Sequence, residues 1–344
     1  MRRWLKTFLF GTALLLALLC TGAYLWWTQP LNPAGPTLDL TVEPGTTPRG
    51  VAQAVVEAGV KTSSDLLFVG FRLSGKARGI KAGSYEISTT TTPQTLLSML
   101  VRGEETLRTV TLVEGWNFRQ VRQALAKAEQ LQAQSQSLSD AQIMEKLGRP
   151  GLHPEGRFYP DTYTYAKGSS DLALLQRALK SMDKHLAKAW LTRQPNSPLK
   201  SPDEALILAS IVEKETGKAA DRPLIAGVFT HRLRIGMMLQ TDPSVIYGLG
   251  TAFDGNLRRS DLRADTPYNT YTRTGLPPTP IAMPGKAALE AALHPASTQA
   301  LYFVAKGDGS SHFSSDLTEH NRAVNRYQRG VGLSESTTRS VSGQ

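Results

Sequence analysis

The chain has 344 residues, 40% hydrophobic and 20% charged, which excludes a disordered polymer and leaves room for two or three domains with a sizeable core. Its net charge of +10 suits an anionic surface or acidic polymer as partner, but no ribonucleoprotein motif, zinc finger or arginine-rich run speaks for nucleic acid. The single cysteine, Cys20, excludes an intrachain disulfide, and the six histidines lack paired metal-ligand spacing, so no metal or other cofactor is expected.

Residues 1–6 are a basic start carrying Arg2, Arg3 and Lys6. Residues 7–27 are uncharged and mainly apolar; at 1.5 Å per residue such a helix spans roughly 30 Å, one hydrocarbon core. Tyr24, Trp26 and Trp27 form an aromatic belt at its exit, and the next basic residue is Arg49. This asymmetry predicts a single-pass anchor in the cytoplasmic membrane with a cytoplasmic N-terminus. A cleaved signal peptide ending at Thr21-Gly22-Ala23 is the rival reading; the length of the run and its continuation into the aromatics favour retention. A lipoprotein signal at Cys20 fits poorly, because bulky Leu19 stands where a small residue is needed.

Residues 31–36, LNPAGP, read as a linker. Residues 37–104 form a smaller subdomain. A strand is predicted at 38–42, then a helix capped by Thr47, with Pro48 first, stopped by Gly59. A second helix starts near Thr62 or Ser63 and ends at 73, and a strand covers 80–87. This β-α-α-β order resembles a LysM module, a small glycan-binding fold; a packing unit that binds nothing explains it equally well. Thr92-Pro93 opens a further short helix closed by Gly103. GFRLSGKA at 70–77 nearly matches a phosphate-binding loop, but Ala77 lacks the magnesium-binding hydroxyl and a helical pattern precedes it.

A larger mixed α+β domain is predicted over 105–331. It opens with a strand at 109–113 and a helix at 118–129. Residues 130–139, rich in glutamine and serine, read as loose and exposed, and a helix follows at 140–147. GRFYPDTYTY at 156–165 suits a sugar-binding wall, with ring faces to stack and hydroxyls to hydrogen-bond, although strands also favour tyrosine. An amphipathic helix covers 171–191.

The helix after it is the most unusual. Ser201 is its N-cap, Pro202 its first residue and Glu204 completes a capping box. It is apolar on all sides, hence buried, and carries Glu213 and Glu215 on its last turn. Desolvation raises a carboxyl pKa, which suits a general acid near neutral pH, but a charged last turn also marks a helix reaching the surface. Beyond it lie a rigid polar and proline-rich loop over 268–281, a helix at 286–293, a strand at 301–304, a second beginning at His312 and a helix at 318–327. Residues 332–344 are serine-rich and expected to be disordered.

Several of these stretches resemble the YceG-like endolytic murein transglycosylases: VEGW at 113–116, EGRFYPDTY at 155–163, ASIVEKET at 209–216, RLRIGMMLQTDPSVIYG at 232–248, YNTY at 268–271 with GLPP at 275–278, and YFV at 302–304 with His312-Phe313. The likeness covers residues 38–330 in one order. It implies an α+β fold with an N-terminal transmembrane helix, a LysM-like subdomain and a catalytic domain over 105–331. It also implies a periplasmic lyase that cleaves within peptidoglycan strands between N-acetylmuramic acid and N-acetylglucosamine. Through the same match Glu213 is the catalytic glutamate, with Gln240, Asp242, Tyr247, Asn269 and Tyr271 as substrate-binding candidates. Contact with penicillin-binding proteins is a further implication. Met283 departs from the polar residue many members carry. A hydrolase using a second carboxylate, from Asp242, Asp161 or Glu215, and a non-catalytic wall-binding scaffold remain alternatives.

Overall fold

Short capping motifs and apolar periodicity set most of the elements in this computed structural model, which describes residues 2–329, with side chains from residue 8 onward. The tail predicted at 332–344 lies outside the described residues. Helix α1 is Arg2–Thr28, and its apolar part, Phe8–Thr28, has none of its hydrophobic window buried.

The chain folds as two units. The first runs to Arg108 and takes in Thr164–Gly168. It holds β1 (Thr37–Val42), α2 (Pro48–Glu57), α3 (Ser64–Leu73), β2 (Gly83–Ser88) and α4 (Pro93–Arg102). Strands β1 and β2 pair antiparallel, Thr37 opposite Ser88 and Val42 opposite Gly83. The expected caps are present: Thr47 accepts from Gly50 N, Ser63 from Leu66 N, and Thr92 and Thr95 cap each other. Gly103 ends α4 at φ +73°, a left-handed turn that only glycine adopts without cost. Leu40, Tyr85 and Ile87 from the sheet meet Val51, Val55, Leu67, Phe71, Leu96 and Leu100 from the helices. Strand β2 begins at Gly83, later than the 80 expected, and Lys81 N donates to Leu100 O instead of to a strand partner.

The second unit comprises Thr109–Tyr163 and the chain from Ser169 onward. Strands β3 (Leu107–Thr111) and β4 (Thr162–Ala166) form a two-stranded sheet. Between them lie α5 (Phe118–Lys127) and α6 (Asp140–Lys146). After them come α7 (Asp171–Leu191), α8 (Pro202–Glu215), α9 (Arg222–Arg234), α10 (Asp242–Leu249), α11 (Arg259–Arg263) and α12 (Lys286–Leu293). Antiparallel β5 (Tyr302–Ala305) and β6 (Ser311–Ser314) precede α13 (Leu317–Tyr327).

Helix α8 is the core of this unit. Leu206, Leu208, Ala209, Ile211 and Val212 are all fully buried, in a cluster with residues of α7, α9 and α12. Each large aliphatic side chain buried this way contributes about 1.5–3 kcal/mol. Ser201 accepts from Glu204 N at 3.2 Å as the cap requires, but the Glu204 carboxylate returns to Lys200 N rather than to Ser201 N.

Two expectations need correction. Residues 130–139 are tied down rather than loose: the buried Asp171 carboxylate accepts from Ser135 N and Oγ, and Arg122 donates to the carbonyls of Ser135, Gln136 and Leu138. Composition cannot register an arginine and an aspartate that arrive from neighbouring helices. Nor do the aromatics of 156–165 form a sugar-binding wall. Phe158, Tyr159, Tyr163 and Tyr165 are buried. Tyr163 donates to Tyr159 O at 2.7 Å, and Tyr159 stacks on His185 with 3.8 Å between ring centroids. Their ring faces are spent on the protein.

Candidate active site

Glu213 and Glu215 are two residues apart on the last turn of α8, so their side chains leave the axis about 200° apart. They therefore serve different surroundings. Glu215 looks into a cleft of about 430 Å³ together with Gln240, Asp242 and Tyr271. Arg232, Tyr302, His320 and Asn321 complete its polar lining.

Each wall is held from behind. Arg232, buried on α9, donates through Nε to Leu301 O and through Nη1 to Leu239 O, both at 2.7 Å. Its guanidinium lies over the Tyr302 ring at 5.2 Å, and that ring stacks on His320. The 240–244 segment and the 269–271 loop are joined: Gln240 N donates to Thr270 O, Thr241 N to Thr270 Oγ1, and Ser244 Oγ lies 2.9 Å from Thr270 Oγ1. Gln240 is exposed at φ +49°. A non-glycine residue in that region is strained, and such strain gathers at functional sites.

The electrostatics differ between the two carboxyls of the cleft. Burial pushes Glu215 up from its ordinary 4.5 to about 7, and Asp242 adds to the rise. The Thr241 hydroxyl, which donates a short hydrogen bond to Glu215 Oε1, and Arg232 oppose it. Asp242 is exposed and accepts from the Tyr271 hydroxyl at 2.5 Å. Burial, reinforced by that contact, raises the Tyr271 pKa. The cleft thus pairs a carboxyl that holds its proton near neutrality with an exposed, hydrogen-bonded one.

Glu213 faces elsewhere. Its side chain is 7% exposed, accepts from Gly285 N at 2.9 Å and stands 3.8 Å from Arg222. Burial raises its pKa, with Glu114 adding to the rise. A Cβ on Gly285 would collide with the Glu114 carboxylate, so glycine is what lets the two acids share this corner. Glu213 anchors the 280–285 loop to α8 and does not line the Glu215 cleft. Met283 is fully buried beside it, its backbone exchanging hydrogen bonds with Gly115 and Trp116.

The remaining expected site residues divide. Gln240, Asp242 and Tyr271 come together with Glu215. Tyr247 lies outside that cleft, hydrogen-bonded to Glu155 and Thr279 and packed edge-on against Tyr268. Asn269 is buried, its Nδ2 donating to the carbonyls of Asp261, Leu262 and Ala264 and its Oδ1 accepting from Tyr271 N. Its polar capacity is used in shaping the loop.

The family model described as the YceG-like family matches residues 40–326.

The chain belongs to the YceG-like family.

It is 30% identical over 331 residues to a protein of Bacillus subtilis (strain 168) named endolytic murein transglycosylase, an alignment covering 90% of this chain and 91% of that protein. A protein of the same name from Streptococcus pneumoniae (strain D39) is 27% identical, over 93% of this chain and 65% of that protein. The crystal structure of a yceG-like protein from Listeria monocytogenes superposes with a TM-score of 0.53 at 28% identity, covering 83% of this chain and 98% of that one.

In this YceG-like chain, Glu155 is one residue of the EGRFYPDTY stretch, and nothing in the sequence singles it out. It is buried, accepts from Phe118 N at the start of α5 at 3.0 Å, bonds the Tyr247 hydroxyl and is raised by burial to about 7. Arg232, the first residue of the RLRIGMMLQTDPSVIYG stretch, is a second residue of this kind. The signal for both is a charged residue that its segment buries, which a motif carries only once the fold is known.

Proposed function

We propose that this protein is a membrane-anchored lytic transglycosylase that cuts peptidoglycan strands from within, with Glu215 as its acid and base. The observation that carries the reading is the polar cleft in which a carboxyl raised to about 7 meets Gln240, Asp242 and Tyr271, on a chain whose relatives bear the name endolytic murein transglycosylase.

The chemistry follows from one carboxyl changing state. Protonated Glu215 donates to the glycosidic oxygen between N-acetylmuramic acid and N-acetylglucosamine, and the C1–O bond breaks. As a carboxylate it then takes the proton of the muramyl C6 hydroxyl. That oxygen attacks C1 and closes a 1,6-anhydro ring, returning the proton to Glu215. The nucleophile is tethered to its target, so no water has to be ordered. Asp242, held by Tyr271, and Gln240 sit where they can bind the sugar and offset positive charge developing at C1. Tyr247 and Asn269 support the walls, and Glu213 positions the 280–285 loop.

Helix α1 serves as a retained anchor with the rest of the chain in the periplasm. The β-α-α-β unit is a candidate LysM-like contact to glycan, and cutting nascent strands would terminate their elongation. Neighbouring penicillin-binding proteins are the natural suppliers of such strands.

Digestion of purified peptidoglycan by the full chain in detergent tests the reading. Mass spectrometry should find 1,6-anhydromuramyl ends without heavy oxygen from labelled water. A hydrolase, which the second carboxyl in the cleft would suit, gives labelled reducing ends; a scaffold gives no product.

A further inference from the structure

Helix α3 is apolar on two faces. Leu67 and Phe71 point into the core of the first unit. Leu66, Val69 and Leu73, at i, i+3 and i+7, share another face and are exposed by 53%, 48% and 82%. Asp65, paired with Arg49 at 3.0 Å, and Arg72 lie on the wider arc between the two faces, and Gly70 lies on the narrower one. A contiguous exposed apolar stripe marks a surface that meets a partner or a membrane.

That face is continuous with the end of α1. Together they line a cleft of about 570 Å³ whose walls include Gly22, Tyr24, Trp27, Leu66, Val69 and Leu73. Trp27 packs edge-on against Phe71, and its ring lies so close to Gly70 that a Cβ there would collide with it. Gly70 therefore lets α3 seat directly against the anchor. The shared stretch of α1, residues 22–27, covers roughly 8 Å of helix axis. That matches the 5–10 Å to which an interfacial amphipathic helix sinks. Arg72, Lys76 and Arg78 are exposed on and just beyond the last turn of α3, and basic side chains close to a bilayer are drawn to lipid phosphates.

We infer that the outward face of α3 is a second membrane contact, immersed among the acyl chains of the outer leaflet beside the exit of α1. This rests on α1 being a retained anchor. Lipid is favoured over a partner protein because the patch extends the lipid-facing surface of α1 and carries basic residues at its edge. The contact fixes the first unit against the bilayer instead of leaving it on a free tether.

The test uses the full chain in vesicles of phosphatidylethanolamine and phosphatidylglycerol. A bimane fluorophore is placed on native Cys20, or on Val69→Cys or Leu73→Cys in a Cys20→Ser background. Acyl-chain bromines and aqueous iodide serve as quenchers. The expected result is blue-shifted emission at 69 and 73, lost to bromines near the headgroups and protected from iodide, with Cys20 quenched by deeper bromines. Quenching of Cys20 by bromine with 69 and 73 open to iodide overturns the inference and leaves the anchor standing. Shielding of 69 and 73 from both quenchers means a protein covers the face and also overturns it. Iodide access at all three sites removes the anchor reading itself.

Discussion

Two carboxyls on one helical turn behave differently because the helix aims them about 200° apart. Glu215 enters a polar cleft and rises to about 7; Glu213 is committed to Gly285 N and Arg222. If Glu215 must begin each turnover protonated, kcat/KM falls as pH rises through about 7, since that parameter reports the free enzyme. A pH–rate profile checks this; a rate that keeps climbing above pH 7 would remove Glu215 from the role. Glu155 makes a separate prediction. Its folded pKa, about 7, lies above the ordinary 4.5. The folded state therefore binds more protons in that window, and stability falls as pH rises through it, by at most about 1.4 kcal/mol per pH unit for one group. Denaturant melts of Glu155→Gln should show a shallower pH dependence than the parent.

At the level of elements, α8 was the most legible part of the chain. Its cap, its all-round apolar surface and its two late carboxyls are written in 201–216. Helix α7 is equally legible from its amphipathic pattern, and α12 lies over the 286–293 expected for a helix. What the sequence did not reveal is which carboxyl meets which partner, because Thr241, Asp242 and Tyr271 reach Glu215 from segments 26 to 56 residues away. The tyrosines of 156–165 misled for a related reason: composition says aromatic and polar, and only packing says that the faces are covered. Close packing also yields a prediction. A Cβ on Gly227 of α9 would strike the Ala296 carbonyl and approach Thr298 Cγ2 at 2.9 Å. Backbone cannot give way as a side-chain tip can, so Gly227→Ala should cost about 1–3 kcal/mol, read as a lower denaturation midpoint.

For the molecule as a whole, the first unit and α1 share packing: Trp26 and Trp27 lie against the core that holds Leu31, Leu67 and Phe71. A helix whose end is built into a core is suited to retention rather than cleavage at residues 21–23. The full chain should therefore stay with membranes through alkaline carbonate extraction and keep its N-terminal residues by mass spectrometry. Release of a shortened chain would make the segment a signal peptide.

The assignment of the acid and base is tested most directly by digesting peptidoglycan with the parent, Glu215→Gln and Glu213→Gln side by side and counting 1,6-anhydromuramyl ends. Glu215→Gln should lose activity by about 10²–10⁴-fold, the usual worth of a positioned proton donor. In Glu213→Gln the amide oxygen can still accept from Gly285 N, so the loss should stay within about tenfold, the scale of one hydrogen bond. Anhydro ends that vanish in Glu213→Gln and persist in Glu215→Gln would contradict the account.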